Sequence, residues 1–154
     1  MTLNRYYSLA IVLILLDQLS KILVANTMEF QSTIVVTEYF SWHHVRNYGA
    51  AFSFLADQGG WQKYFFISLS FTVSIALIIW MKKTALTQQF ELLGLSLILS
   101  GAVGNLIDRV TYGFVIDFID LHYQDFYWPV FNVADIAISF GVAVLLFSEF
   151  KKSD

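Results

Sequence analysis

The 154-residue sequence contains no cysteine and few charged side chains. Without cysteine it can form no disulfide, no thiol nucleophile and no thiolate metal site. Charged residues make up 14% of the chain and hydrophobic residues 57%, whereas soluble domains are roughly 25% charged. The formal net charge of −3 also argues against a nucleic-acid partner. These deficits point away from a soluble, thiol-dependent or nucleic-acid-binding protein.

The hydrophobic residues form four long runs, at about 6–25, 64–81, 90–107 and 130–147. Each run has roughly 18 to 20 residues, enough for a helix to cross a hydrocarbon core of about 30 Å. A soluble helical bundle would need a polar stripe along each helix, yet the run from Phe65 to Trp80 carries hydroxyls and no charge. We therefore predict an all-α membrane protein with four transmembrane helices, forming a single integral membrane domain over residues 1–154.

The first run could be mistaken for a cleavable signal peptide. It is longer than the roughly 7 to 15 apolar residues of such a peptide, and Asp17 and Lys21 interrupt it, so we interpret it as a retained first helix. An even number of spans puts both termini on one side, together with the lysine pairs 82–83 and 151–152. Because lysine and arginine concentrate in cytoplasmic loops, both termini are predicted to be cytoplasmic.

The two predicted extracytoplasmic segments, at about 26–63 and 108–129, do not resemble simple loops. Residues 33–45, TIVVTEYFSWHHV, are rich in β-branched and aromatic side chains, which favours short strands. Rings such as that of Trp42 suit the headgroup interface. We predict a small β-rich interfacial region on the outer surface of the membrane.

Polar residues gather at the level where these segments meet the helices. With the termini inside, counting along the spans brings nine of them to the outer face: Asp17, Lys21, Asn47, Asn105, Asp108, Arg109, Asp117, Asn132 and Asp135. Carboxylates at a membrane boundary are costly, so their presence suggests a function. Two aspartates close enough to share a proton, Asp117 and Asp135, would form the catalytic apparatus of an aspartyl hydrolase.

Some neighbouring polar residues have structural interpretations. Asp17 and Lys21 are four residues apart and can form an ion pair that lets the lysine extend outward to the interface. Asp108, beside a basic residue at a helix end, is favoured as a fold-stabilising partner over a catalyst. Gly101 and Gly104 suit close helix contact in lipid and are expected to serve packing alone.

Other chemistries lack their usual signatures. His43 and His44 would point to opposite faces of a strand, which makes them a poor metal pair, and the sequence has no HExxH motif. It also has no GxSxG motif for a serine nucleophile and no glycine-rich phosphate loop. Aspartate is the remaining candidate for catalysis.

Five sequence blocks, taken in order, resemble lipoprotein signal peptidase, the bacterial type II signal peptidase of the aspartyl peptidase class. They are DQLSK (17–21), RNYGAAFSF (46–54), GNLIDR (104–109), VIDF (115–118) and FNVAD (131–135). The resemblance covers nearly the whole chain, including the number of spans and the spacing between blocks. Tyr48 departs from the family pattern, in which a smaller residue is common.

The resemblance implies an aspartyl endopeptidase of the bacterial plasma (inner) membrane, with its active site at the extracytoplasmic face. It would remove the signal peptide from diacylglyceryl-modified prolipoproteins, cutting just before the lipidated cysteine. It implies that Asp117 and Asp135 are catalytic, and that no metal or other cofactor is used. The residues it places at the substrate are Asn47, Asn105, Arg109, Asn132 and Ala134, with Asp17 nearby. We expect a monomer whose partners are the prolipoprotein and membrane lipid.

Two alternatives belong to other functional classes. A small proton-coupled transporter could also hold intramembrane carboxylates, but it would more naturally show acids at the bilayer midplane and inverted repeats. A structural or assembly subunit would leave the polar cluster unexplained.

Overall fold

The computed structural model describes residues 2–49 and 60–152. Within these residues the helices are α1 (Leu3–Thr27), α2 (Trp61–Lys83), α3 (Gln89–Thr111) and α4 (Val133–Lys152). All four are long and apolar enough to cross a membrane. The prediction of four spanning helices is confirmed, and the protein is a multi-pass membrane protein.

The ends of the helices differ from the ends of the apolar runs. Helix α3 continues through Asn105, Asp108 and Arg109 to Thr111, because backbone hydrogen bonding does not stop where polar side chains begin. Helix α4 begins later than the run at 130, because Phe131 is paired with the sheet: its N–H donates to the carbonyl of Ile119 at 3.1 Å.

Helix α3 is the centre of the bundle and packs against the other three helices. Its contact with α4 is close because both helices carry glycine: a Cβ on Gly94 would lie 2.9 Å from the carbonyl oxygen of Gly141. A Cβ on Gly101 would collide with the carbonyl oxygen of Ala134. The predicted helix contact at Gly101 is confirmed.

The buried apolar side chains form two clusters at opposite ends of the bundle. The larger, near the start of α1, contains Tyr6, Ala10, Leu77, Met81, Leu92, Leu95 and Leu99. The smaller joins Val24, in the last turn of α1, and the following C-cap residue Met28 to Ile116 and Phe118. The second cluster fixes the position of the sheet relative to the helices.

A four-stranded antiparallel sheet covers that end of the bundle. Its strands, in spatial order, are β1 (Thr33–Val35), β2 (Phe40–Asn47), β3 (Val115–Tyr123) and β4 (Phe126–Tyr127). In the β2–β3 ladder Asn47 pairs with Val115 and Val45 with Asp117, so polar residues of both outer segments reach the same edge. The predicted strands in 33–45 are confirmed. Residues 50–59, part of the segment predicted at 26–63 and of the RNYGAAFSF block, lie outside the described residues.

Candidate active site

Asp117 and Asp135 face one cavity from different elements. Asp117 lies on β3 and is 2% exposed, whereas Asp135 lies in the first turn of α4. The cavity has a volume of about 770 Å³ and both aspartates line it. The convergence of two carboxylates predicted from the sequence is therefore present in the structure.

Asn132 joins the two carboxylates. Its side-chain amide donates a hydrogen bond to Oδ1 of Asp117, and its backbone N–H donates to Oδ2 of Asp135 at 3.3 Å. In return, the backbone N–H of Asp135 donates to Oδ1 of Asn132 at 3.0 Å. This reciprocal pair is a capping box, with Asn132 at the N-cap of α4 and Asp135 three residues on. The FNVAD segment thus starts a helix and orients both carboxylates with the same residues.

Two further asparagines complete the hydrogen bonding of the aspartates. The amide of Asn47, at the end of β2, donates to Oδ2 of Asp117 at 3.0 Å. The amide of Asn105, on α3, donates to Oδ1 of Asp135 at 2.9 Å. Each carboxylate oxygen of the pair therefore accepts a hydrogen bond from an asparagine.

The environment of Asp117 favours its protonated form. Burial, followed by the negative charge of Asp135, raises the pKa of Asp117 to about 7. The hydrogen bonds from Asn47 and Asn132 and the charge of Lys21 oppose this rise. Desolvation and a like charge both disfavour a second ionised carboxylate, so the pair can hold a proton near neutral pH.

Behind the aspartates lies a buried lysine. Lys21 is 1% exposed, and its Nζ lies 2.9 Å from Oδ2 of Asp17 and 3.1 Å from Oδ2 of Asp108. It also donates to Oδ1 of Asn105 at 2.9 Å. The predicted ion pair with Asp17 is confirmed, but the prediction that Lys21 extends outward is wrong. The three N–H donors of the Lys21 ammonium group are satisfied by three oxygens inside the bundle, so the side chain stays buried and does not extend to the interface.

Asp17 and Ala134 are connected to each other and lie behind the cavity wall. Oδ1 of Asp17 accepts a hydrogen bond from the backbone N–H of Ala134 at 2.9 Å, and both residues are 1% exposed. Asn132 is fully buried as well. Of the residues that the family resemblance assigns to the substrate, Asn47, Asn105 and Arg109 line the cavity.

Arg109 is held at the cavity wall by backbone oxygens. Its Nη2 donates to the carbonyl of Gly49 at 2.8 Å, and its guanidinium lies over the ring of Phe66, 5.3 Å from the centroid. The neighbouring Asp108 accepts a hydrogen bond from the backbone N–H of Ile116 at 3.1 Å. The interpretation of Asp108 as a fold-stabilising partner is confirmed, although the cation that it pairs with is Lys21.

The sequence interpretation missed Gln18 and the apolar wall of the cavity. The amide of Gln18 donates to Oδ1 of Asp108 at 2.9 Å and to Oδ2 of Asp17 at 3.1 Å. Its position between Asp17 and Lys21 in DQLSK is the feature of the sequence that could have identified it. The wall includes Phe66, Leu69 and Val73 of α2. Nothing in an apolar run distinguishes such residues from those that face lipid.

No metal-binding group of three or more histidine or acidic side chains occurs among the residues that the structure describes. His44 is 4% exposed, and its Nδ1 is hydrogen bonded to the carbonyl of Met28 at 3.1 Å. That contact is structural, as expected of a histidine on the inner face of a strand.

Comparison with known proteins gives a consistent result. A family model described as signal peptidase (SPase) II matches residues 9–151. The lipoprotein signal peptidase of Cellvibrio japonicus is 48% identical over 97% of this chain and 88% of its own length. That of Pasteurella multocida is 47% identical over 93% of this chain and 87% of its own length.

Solved structures agree in fold. One bacterial membrane enzyme superimposes with a TM-score of 0.88 at 30% identity, covering 98% of this chain and 90% of its own. A second gives a TM-score of 0.84 at 31% identity, covering 96% and 94%. The similarity therefore extends over the helices and the sheet together.

Proposed function

The chain belongs to the signal peptidase II family of aspartic peptidases, and from this membership we propose that Asp117 and Asp135 are its catalytic pair. Its activity is the removal of signal peptides from prolipoproteins. The transporter alternative finds no support in the comparisons. The observation that carries the proposal is the contact of Asn132 with both carboxylates at the wall of one cavity.

The chemistry follows from two carboxylates that share one proton, that of Asp117 buried and that of Asp135 half-buried. The ionised member accepts a proton from a water molecule as that water attacks the scissile carbonyl carbon. The protonated member donates a hydrogen bond to the carbonyl oxygen and later supplies a proton to the departing amine. The titration belongs to the pair, so the base is not assigned to one aspartate. Asn132 keeps both groups oriented through these steps.

The cavity offers different surfaces to different parts of a substrate. Near the aspartates it carries the amides of Asn47 and Asn105 and the guanidinium of Arg109, which can hold backbone or ester oxygens. The rest of its lining includes Leu69, Val73 and other apolar side chains of α2, α3 and α4. A diacylglyceryl-modified cysteine fits this division, with its acyl chains against the apolar wall and the peptide bond before the cysteine at the aspartates.

The proposed function also includes a cellular location and an orientation in the membrane. It is a single integral domain of the bacterial plasma (inner) membrane, acting as a monomer in contact with membrane lipid and without a cofactor. Lys82 and Lys83, in the last turn of α2, lie at the end of the bundle that carries both termini. Because lysines concentrate on the cytoplasmic side of a membrane, both termini lie in the cytoplasm. The sheet, Asp117 and Asp135 lie at the extracytoplasmic face, where an exported precursor anchored by its lipid presents its cleavage site.

The test is cleavage of a diacylglyceryl prolipoprotein by the purified protein in a bilayer, with the products identified by mass. The expected products are the intact signal peptide and a mature chain that begins with the lipidated cysteine. The same precursor without the lipid should be cut much more slowly. Chelators and serine-directed reagents should leave the rate unchanged. Loss of activity with a chelator, restored by one metal ion, would replace the carboxylate pair with a metal-activated water.

A further inference from the structure

The side chain of Arg46 is held between two aromatic rings at the sheet end of the bundle. Its Cζ lies 4.5 Å from the ring centroid of Phe30 and 4.9 Å from that of Phe114. Phe30 precedes β1 and Phe114 precedes β3, so the rings approach from the two strands that flank β2. Arg46 is nevertheless exposed. Contacts of this kind fix the guanidinium plane and leave its N–H groups available for an anion.

A second cation lies beside the same segment. A Cβ added to Gly113 would be 3.2 Å from Nζ of Lys63, which places this ammonium group against the residue that precedes Phe114. Within residues 2–49 and 60–152, Arg46 and Lys63 have no carboxylate at ion-pair distance. By contrast, the other cations at this end, Lys21 and Arg109, are occupied by the candidate active site.

Exposed phenol rings border the two cations. Tyr48 is 46% and Tyr112 50% exposed, and their rings contact that of Phe114 at centroid distances of 5.4 and 5.9 Å. Tyrosines of this kind are typical of the headgroup level of a membrane. We call the four residues Arg46, Lys63, Tyr48 and Tyr112 the outer cationic patch.

We propose that the outer cationic patch binds the phosphate group of an anionic membrane phospholipid. The planar guanidinium of Arg46 matches two phosphate oxygens, and Lys63 adds a second positive charge. The hydroxyls of Tyr48 and Tyr112 can donate further hydrogen bonds. Bound lipid is favoured over free phosphate because the bordering rings are exposed at the level where a lipid places its headgroup.

The consequence for the protein is an anchor for the sheet. Arg46 is followed directly by Asn47, which donates to Asp117. A lipid phosphate held by Arg46 would restrain the end of β2 at the membrane surface and with it this donor. Lipid binding itself requires no turnover, so it can be measured on protein without substrate.

The experiment uses the absence of cysteine. Thr111, exposed at the end of α3 beside Tyr112, is replaced in a Thr111→Cys variant, and a fluorophore is attached there. Quenching is measured in bilayers that contain phosphatidylglycerol or phosphatidylcholine with a nitroxide near the ester linkage. We expect phosphatidylglycerol to be preferred by about fivefold or more, the effect of one interfacial cation. Arg46→Gln with Lys63→Gln should remove the preference, whereas Lys82→Gln with Lys83→Gln, at the other end, should leave it intact.

Two further measurements distinguish lipid phosphate from free phosphate and control for misfolding of the double variant. Excess inorganic phosphate should not displace the quenching lipid; if it does, the patch binds free phosphate and the lipid proposal fails. Arg46→Lys keeps the charge but loses the planar fork, so it should show an intermediate preference even if the double variant does not fold. A wild-type protein without preference, or a double variant that keeps it, would overturn the proposal.

Discussion

Lys21 donates a hydrogen bond from Nζ to Oδ1 of Asn105 at 2.9 Å, deep inside the bundle. Because an ammonium group can only donate, this contact fixes which end of the Asn105 amide is the oxygen. The nitrogen of the same amide then faces Asp135, to which it donates at 2.9 Å. A lysine that touches neither of the proposed catalytic carboxylates thus sets the orientation of a donor to one of them.

Replacement of Lys21 by methionine is expected to destabilise the protein strongly. The methionine keeps most of the side-chain volume but leaves Asp17 and Asp108 buried without their cation. Loss of one partner from a buried ion pair costs about 3–5 kcal/mol. Thermal unfolding in a fixed detergent should show a large fall in midpoint, whereas Lys83→Met, at an exposed position, should leave it nearly unchanged. An unaltered midpoint for the Lys21 variant would contradict the assigned network.

Gly101→Ala tests whether the α3–α4 contact supports the site. The new methyl would strike the carbonyl oxygen of Ala134 and the side chain of Ile138, so α3 must move away from α4. Overpacking of this kind costs about 1–3 kcal/mol. Since the hydrogen bond from Asn105 to Asp135 spans this contact, kcat should fall together with stability. Ser100→Ala, which adds no volume, is the control; equal behaviour of the two variants would show that the contact does not position the site.

The pH dependence of cleavage should report the shared proton. The pKa of Asp117 is raised to about 7, so the pair loses its proton, and activity falls, as the pH rises through that value. Asn47 lowers this pKa by its hydrogen bond. Asn47→Ala should therefore move the alkaline limb of the rate profile to higher pH, in addition to reducing the rate.

Ser139→Ala is the matched control for that profile: Ser139 lines the cavity, and within residues 2–49 and 60–152 the donors to the two aspartates are Asn47, Asn105 and Asn132 instead. It should leave the limb in place. A limb that stays fixed in the Asn47 variant, or moves to lower pH, would mean that the titrating group is not Asp117.

Single cysteines can establish the orientation of the chain. Thr87→Cys, in the connection between α2 and α3, should react with impermeant reagents only from the cytoplasmic side, and Gln124→Cys, between β3 and β4, only from outside. The physical basis is the concentration of lysines at the end that carries Thr87. Reaction of the Gln124 variant from the cytoplasm would put Asp117 and Asp135 on the inner face, where an exported precursor does not present its cleavage site.

The functional residues of the site could be predicted from the sequence because they lie in short polar blocks beside long apolar runs. Asp117 and Asp135 each stand beside such a run, and the structure brings both to one cavity. The role of Lys21 could not be predicted in the same way. Its burial depends on Asp108 and Asn105, more than 80 residues further along the chain, and local sequence shows only its neighbour Asp17.

The strand β3 illustrates a second limit of sequence reasoning. Alternation of polar and apolar residues identifies a strand when one face is buried and the other is wet. In VIDFIDLHY, the residues Val115 to Phe118 are all buried, because one face packs against α1 and the other carries Asp117 toward the cavity. The alternation is therefore lost, and the sequence predicts the segment only as part of an interfacial region. The predicted start of the fourth span, at 130, is too early for a related reason: Phe131 is apolar but pairs with Ile119 of the sheet.

The central claim, that Asp117 and Asp135 act as one catalytic unit, is tested most directly by the initial cleavage rates of Asp117→Asn and Asp135→Asn on a diacylglyceryl prolipoprotein. Asp125→Asn, at an exposed turn, is the matched control for loss of a carboxylate. Each of the first two variants should lose at least about a hundredfold in rate, and the double variant little more, because either change removes the shared proton. The control should match wild type. Retention of activity within a few-fold by either single variant, in protein that inserts and folds normally, would contradict the account.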